Sequence, residues 1–278
     1  MALPLLGIAL GISFGGVIRD MLAADANDAK SRQIYYDAFK DVEEAAREVR
    51  TESDKTAQKL LKLSKRKNGI MNSSLTKFVV TFRKVAKINF TQNDLGDFNP
   101  QAIIPAEIND LQKMVNISGM GLNDKQLLST FVFHGFLKGA LGGISGIIRK
   151  ESEINLHVAY MNSDMADVAT SNNKTAKVAI AAIGDSADRF SKLLANLNAL
   201  FVRSISHIDE FVDQKGMDRN KYSDENKKDI MNCFNFAETI KKLLEQPLFE
   251  TNGVVSQQAV KAMETGETYL LELQRAVC

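Results

Sequence analysis

Ten apolar residues recur at spacings of three and four between residues 180 and 212, the periodicity of one helix face. They are Ile180, Ile183, Ala187, Phe190, Leu194, Leu197, Phe201, Ile205, Ile208 and Val212. Gly216 follows and predicts the end of this helix. An apolar seam of that length must be covered by other helices. The sequence therefore predicts a helical bundle organised around one long helix.

The rest of the chain repeats this helical pattern. An amphipathic stripe runs from Ile34 to Val49, and a further helix is predicted from Asp224 to Glu245, ended by Pro247. Sustained period-two alternation is absent from the sequence, so the fold class is all-α. Further expected features are a heptad pattern from Met71 to Val85, a loop at 89–106, an Asn123 cap with Gln126, a break at 171–173, and a final helix at 257–276 after a Ser256 cap.

Two apolar stretches carry glycines four residues apart, a spacing known as a glycine zipper. The first is Gly7, Gly11 and Gly15, within an uncharged run from Ala2 to Ile18; the second is Gly135, Gly139 and Gly143, in a helix expected to end near Arg149 and Lys150. Glycines at this spacing share one helix face and allow a second helix to approach closely. We expect both stretches to serve membrane association or helix packing.

The domain boundaries follow from these segments. We expect an apolar glycine-zipper segment at 1–20 and a single elongated helical-bundle domain at 21–278, with the second zipper inside it at 131–148. The first segment lacks a preceding basic residue and a small-residue cleavage site, so it is expected to be retained in the mature protein. Either it inserts into or associates with a membrane, or it is a buried partner within a soluble bundle.

The charge is distributed unevenly despite a net charge of only +1. Ten basic residues and no acidic residue lie between Lys55 and Asn93. We expect Lys59, Lys62, Lys65, Arg66 and Lys67 to form a surface for anionic lipid. Two alternatives stay open: a solvated face paired with acidic helices such as 209–229, and a nucleic-acid surface, which the scarcity of aromatics for base stacking disfavours.

Signals for catalysis or metal binding are missing from the sequence. Gly119-Met120-Gly121 lacks the third glycine of a dinucleotide loop, and a P-loop is absent. The three histidines are widely separated, and Cys233 lies on an apolar seam, where a packing role is expected. We therefore expect a non-enzymatic protein without a cofactor or metal.

The arrangement resembles a loosely defined set of uncharacterised bacterial proteins with a glycine-zipper N-terminus, a long charged helix, a glycine-rich middle and C-terminal helices. The residues that carry this resemblance are Gly7, Gly11, Gly15, the helix at 28–67, the stretch Gly135–Gly146, and Gln246-Pro247-Leu248-Phe249 before Asn252-Gly253. In architecture alone the chain also looks like helical pore-forming toxins of the cytolysin A type.

These observations lead to two functional expectations. The first is a membrane-associating or membrane-inserting helical protein, oligomeric or pore-forming, in the bacterial cytoplasm or at the inner face of the cytoplasmic membrane. Its partners would be an anionic membrane surface and a second copy of the chain. The second is a soluble cytoplasmic helical scaffold that binds a protein partner.

Overall fold

Helices account for nearly all of the chain that the structure describes. The computed structural model describes residues 29–91, 100–133, 143–250 and 255–277. Side-chain surroundings are described for a narrower set: 44, 47–91, 108–132, 177–250 and most of 255–275. Over these ranges the protein is all-α and contains no β-strand, apart from an isolated antiparallel bridge between Phe249 and Val255. The all-α fold class predicted from the sequence is confirmed.

Seven α-helices, two π-helical turns and a 3₁₀ turn make up the described bundle. In chain order they are α1 (Ala29–Ile70), a π-helical turn (Met71–Leu75), α2 (Thr76–Val85), α3 (Pro100–Ser118), α4 (Asp124–Leu128), a second π-helical turn (Ser129–Phe133), α5 (Gly143–Lys215), the 3₁₀ turn (Arg219–Lys221), α6 (Asp224–Glu245) and α7 (Gln257–Val277).

Local sequence sets several of these helix ends. The Asn123 side chain accepts from the Gln126 backbone N–H while the Gln126 side chain accepts from the Asn123 N–H, so the predicted capping box is confirmed. Ser223 and Asn226 form the same arrangement at the start of α6. Gly216 ends α5 with a φ of 68°, a left-handed conformation that glycine adopts without strain.

Helices α1 and α2 run parallel to α5 rather than antiparallel. Glu48 pairs with Lys177 at 3.0 Å, and Lys84 pairs with Asp213 at 2.7 Å, so both residue numbers rise together along the interface. A parallel pair needs a connection that returns the chain to its starting end. Helices α3 and α4 lie in that connection, α3 against α2 and α4 against α1.

The predicted seam of α5 forms the centre of the core. Nine of its ten residues are buried, and Ile183 is half-buried against the core. The predicted heptad residues from Met71 to Val85 are also buried, and the Phe78 and Phe82 rings stack at 4.1 Å. These two seams meet through Phe78 and Phe201, whose ring centroids are 5.6 Å apart.

Three sequence predictions about helix ends are wrong. Helix α5 continues through the predicted end at residues 149–150, because arginine and lysine are good helix formers. It also continues through residues 171–173, because asparagine and serine disfavour a helix by less than about 1 kcal/mol each. Part of the predicted loop at 89–106 is helical, since α3 begins at Pro100. Proline suits the first turn of a helix because the missing N–H has no helical acceptor there.

Helix α5 also departs from a straight line. The Lys67 ammonium contacts both the Phe131 carbonyl, at 3.3 Å, and the Phe190 ring, at 4.4 Å, so these two residues lie close together. A straight helix from Gly143 to Phe190 would be about 70 Å long. The chain from Phe133 to Gly143 reaches at most about 36 Å. Helix α5 must therefore bend between Gly143 and Phe190.

Candidate functional site

The glycine-zipper residues fall largely outside the part of the chain that the structure describes. Gly143 is the first residue of α5. The others, Gly7, Gly11, Gly15, Gly135 and Gly139, lie outside the described residues, and so does the apolar run from Ala2 to Ile18. Their predicted role in membrane association or helix packing thus stays a prediction.

The predicted lipid-binding residues are engaged largely within the bundle. Lys59 on α1 donates to Asp185 on α5 at 2.8 Å, and this hydrogen bond raises the pKa of Lys59. Lys65 pairs with Asp124 at the start of α4, at 3.0 Å. Both pairs are exposed, where an ion pair typically contributes less than about 1 kcal/mol to stability. They nevertheless neutralise part of the positive charge expected to face a membrane.

Arg66 and Lys62 differ in their surroundings. The Arg66 guanidinium donates to the backbone carbonyl of Ser191 on α5 at 2.8 Å. Lys62 is exposed. A hydrogen bond from Lys192 lowers the pKa of Asp188, and the positive charge of Lys62 contributes to the same shift. Lys62 is therefore exposed, and its charge acts on an acidic group of α5.

Lys67 does not belong to a lipid-facing surface, and its predicted place there is wrong. Its side chain is 0% exposed. The ammonium lies 2.6 Å from the Gln246 carbonyl oxygen, 3.3 Å from that of Phe131 and 3.5 Å from that of Leu244. It also lies over the Phe190 ring. One lysine thus joins α1, the second π-helical turn, α5 and the end of α6.

Two of the three carbonyls around Lys67 lie at a helix end, where helical hydrogen bonding leaves them without donors. Leu244 lies in the last turn of α6 and Gln246 is its C-cap, where backbone carbonyls have no partner within the helix. A cation at this end also interacts favourably with the helix dipole. Burial lowers the pKa of Lys67 to about 7. The three carbonyls and the aromatic ring favour the charged form and oppose this effect of burial.

Backbone hydrogen bonds complete the surroundings of Lys67. The Leu248 and Phe249 N–H groups both donate to the Val132 carbonyl, at 2.7 and 3.2 Å. The Ser256 N–H donates to the Leu248 carbonyl at 2.8 Å, which joins the start of α7 to the same region. The arrangement is a buried structural junction, because each polar group that it holds serves the packing of helix ends.

Lys84 makes the pairing with the acidic segment at 209–229 that the sequence left open as an alternative. Its ammonium contacts Asp209 at 3.0 Å and Asp213 at 2.7 Å. These two hydrogen bonds raise the pKa of Lys84. The Thr81 hydroxyl also donates to Asp209, at 3.1 Å. The basic stretch thus stabilises the interface with α5 along much of its length.

Reactive side chains do not converge in the described residues. These residues contain no group of histidine, cysteine, aspartate and glutamate side chains that could hold a metal ion. Cys233 is buried, as expected for a packing residue, and burial raises the pKa of its thiol to about 12. Among the described helices, none has an apolar stretch long enough to cross a membrane.

An open groove of about 410 Å³ lies between α5 and α7. Arg189 and Glu267 join its two sides through hydrogen bonds of 2.7 and 2.5 Å. Leu193 and Leu270 supply its apolar lining, and Asp188 and Lys192 pair with each other at 2.8 Å. The charged side chains of this groove are thus paired with one another.

Comparison with known proteins gives no relative: no family model, curated protein or solved structure matches this chain.

The role of Lys67 had a signal in the sequence. Lys67 lies four residues after Leu63 and four before Met71, both fully buried, so it occupies a seam position of the helix. Lys65 and Arg66 carry the same charge but are exposed and half-buried, respectively, so charge alone does not distinguish them from Lys67. A lysine at a seam position is thus a signal for a buried polar junction.

Proposed function

We propose that this chain is a non-enzymatic helical-bundle protein that associates with an anionic membrane surface. The observation that supports the proposal most directly is the charge distribution. Ten basic residues and no acidic residue lie between Lys55 and Asn93, and the uncharged run from Ala2 to Ile18 precedes them. Anionic lipid attracts such a segment by about 1 kcal/mol for each cation near the surface. Apolar side chains then add a contribution that salt does not screen.

The two parts of the chain would act in sequence. Basic residues of the bundle would draw the protein to the inner face of a bacterial cytoplasmic membrane, within a screening length of about 8 Å at physiological salt. The apolar N-terminal segment would then make the association persistent. Its glycine face is self-complementary and would also support a homo-oligomer.

A soluble helical scaffold that binds a protein partner is the second candidate. A specific observation favours it: Lys59, Lys65 and Lys84 pair with acidic residues of neighbouring elements, and Lys67 is buried. Those four cations then contribute less to a membrane than their number suggests. In this case both glycine zippers would pack within the bundle or against the partner.

Fractionation of a bacterial lysate containing the full chain separates the two candidates. If the proposal is correct, the protein sediments with membranes, and high salt releases part of it while detergent is needed for the rest. A variant lacking residues 2–18 should then be released by salt alone. Recovery of the intact chain entirely in the soluble fraction at low salt would contradict membrane association and favour the scaffold.

A further inference from the structure

The C-terminal part of the basic stretch, on and just after α2, has an exposed side. Lys77, Val80 and Arg83 on α2 and Lys87 in the turn that follows are all exposed. We call these four residues the α2 outer face. Val80 lies in the middle of this group in the sequence and is 53% exposed. The face therefore combines three cations with an apolar contact.

The opposite side of α2 fixes this orientation. Phe78, Val79, Phe82 and Val85 are buried. The Phe82 ring lies 6.2 Å from that of Phe234 on α6, so the helix cannot roll without breaking aromatic packing. The α2 outer face is consequently a fixed surface of the bundle.

The charges next to this face are partly compensated. Lys77 donates to the neutral Ser206 hydroxyl at 2.8 Å, and its positive charge also interacts with the Asp209 carboxylate. Asp209 and Asp213 on α5 both pair with Lys84, the cation next to Arg83 in the sequence. Arg83 and Lys87 make no ion pair with any residue in the described ranges. Within the described part of the chain, an acidic partner does not neutralise either charge.

We propose that the α2 outer face is the surface that binds anionic lipid headgroups, in place of the Lys59–Lys67 segment. This inference rests on the proposed membrane association and names its contact residues. Arg83 and Lys87 would contact lipid phosphates, since guanidinium and ammonium groups donate strong hydrogen bonds to phosphate oxygens. Val80 would lie at the boundary between headgroups and acyl chains.

The chemistry of the α2 outer face favours lipid over nucleic acid. Single-stranded nucleic acid is bound through aromatic side chains on which bases stack. The two aromatic residues of α2, Phe78 and Phe82, are both 0% exposed and cannot stack on a base. A valine surrounded by cations is instead suited to the boundary between charged headgroups and hydrocarbon.

Co-sedimentation with vesicles tests the proposal on the full chain. The vesicles are phosphatidylcholine alone, or equal parts of phosphatidylcholine and phosphatidylserine. Arg83→Gln/Lys87→Gln removes two charges from the α2 outer face, and the control Lys62→Gln/Lys65→Gln removes two from α1. Each cation near an anionic surface strengthens binding by roughly fivefold. We expect about thirtyfold weaker binding for the first variant and a much smaller loss for the control.

The outcomes distinguish this inference from the proposed function. If the wild-type chain binds and the two variants lose binding equally, the α2 outer face is not the lipid-binding surface. The same conclusion follows if Arg83→Gln/Lys87→Gln binds as well as the wild type. In both cases membrane association itself remains supported. Failure of the wild-type chain to bind anionic vesicles would overturn both. If the chain binds polyglutamate through Arg83 but does not bind vesicles, the α2 outer face binds an acidic protein and not lipid. All four substituted residues are exposed, so thermal unfolding should stay close to that of the wild type.

Discussion

The Lys67 ammonium lies 2.6 Å from the carbonyl oxygen of Gln246, the residue that caps helix α6. This contact joins the middle of the basic stretch to a helix end 179 residues further along the chain. A charge expected at the surface is thus at the centre of the bundle. Its burial has consequences for stability that can be measured.

Replacing Lys67 with methionine should change how stability depends on pH. Burial lowers the pKa of Lys67 from 10.5 to about 7, so between these values the unfolded chain binds more protons than the folded protein. The free energy of unfolding should therefore rise with pH across this window, by at most about 1.4 kcal/mol per pH unit, and this contribution should be flat below pH 7. Urea unfolding from pH 6 to 10 measures the difference between wild type and Lys67→Met.

The exposed Lys62 supplies a control for that pH series. Lys62→Met makes the same substitution at an exposed position of α1, so it shows the effect of replacing a lysine on this helix without the loss of a buried amine. If Lys67→Met and the wild type show parallel curves, the Lys67 ammonium does not change its protonation on folding in this range.

Close packing between α1 and α5 should make Gly184 intolerant of a side chain. A methyl group there would lie 2.7 Å from the Thr56 hydroxyl oxygen, which donates to the Ile180 carbonyl. Gly184→Ala should lower the free energy of unfolding by about 1–3 kcal/mol. Gly69→Ala is the matched control, because its methyl group would meet nothing within 4 Å and should stabilise the helix by about 0.5–1 kcal/mol. If both variants change the free energy of unfolding in the same direction, α1 and α5 do not approach closely at Gly184.

The α5 seam should dominate stability. Leu194 is 0% exposed, so Leu194→Ala should cost about 2–5 kcal/mol. Val202 lies on the same helix but is 37% exposed, and Val202→Ala should stay within about 0.5 kcal/mol of the wild type. Thermal unfolding compares the two. Fast hydrogen exchange throughout residues 185–210 would show that this helix is not the organising element.

The sequence predicted the parts of the fold that depend on apolar periodicity and local caps. The seam from Ile180 to Val212, the helix from Asp224 to Glu245 and the Asn123 capping box all depend on neighbouring residues, and the structure contains each of them. Periodicity could not show that α1 and α5 are parallel, because a helical seam carries the same pattern in either direction.

The surroundings of single charges were harder to predict. Lys67 and Lys65 are two residues apart, yet one is buried and the other is 54% exposed. The difference comes from the Phe131, Leu244 and Gln246 carbonyls, which lie 64, 177 and 179 residues away in the sequence. Such long-range partners are set by the tertiary fold. Charge and spacing along one helix therefore could not identify them.

Removing residues 2–18 should separate two contributions to membrane binding. The truncated chain keeps all ten basic residues between Lys55 and Asn93, so we expect weak vesicle binding that salt abolishes. The intact chain should keep a bound fraction at high salt, because apolar contacts are not screened. Identical salt dependence of the two forms would show that the N-terminal segment does not contact the membrane.

Membrane association is tested most directly by sedimenting the intact protein with neutral and with anionic vesicles at increasing salt concentrations. The screening length falls from about 30 Å at 0.01 M to about 8 Å at 0.15 M salt. We predict binding that requires anionic lipid and is strongest at low salt. If the intact protein binds neither kind of vesicle at low salt, the proposed membrane association is wrong and the soluble helical scaffold is favoured.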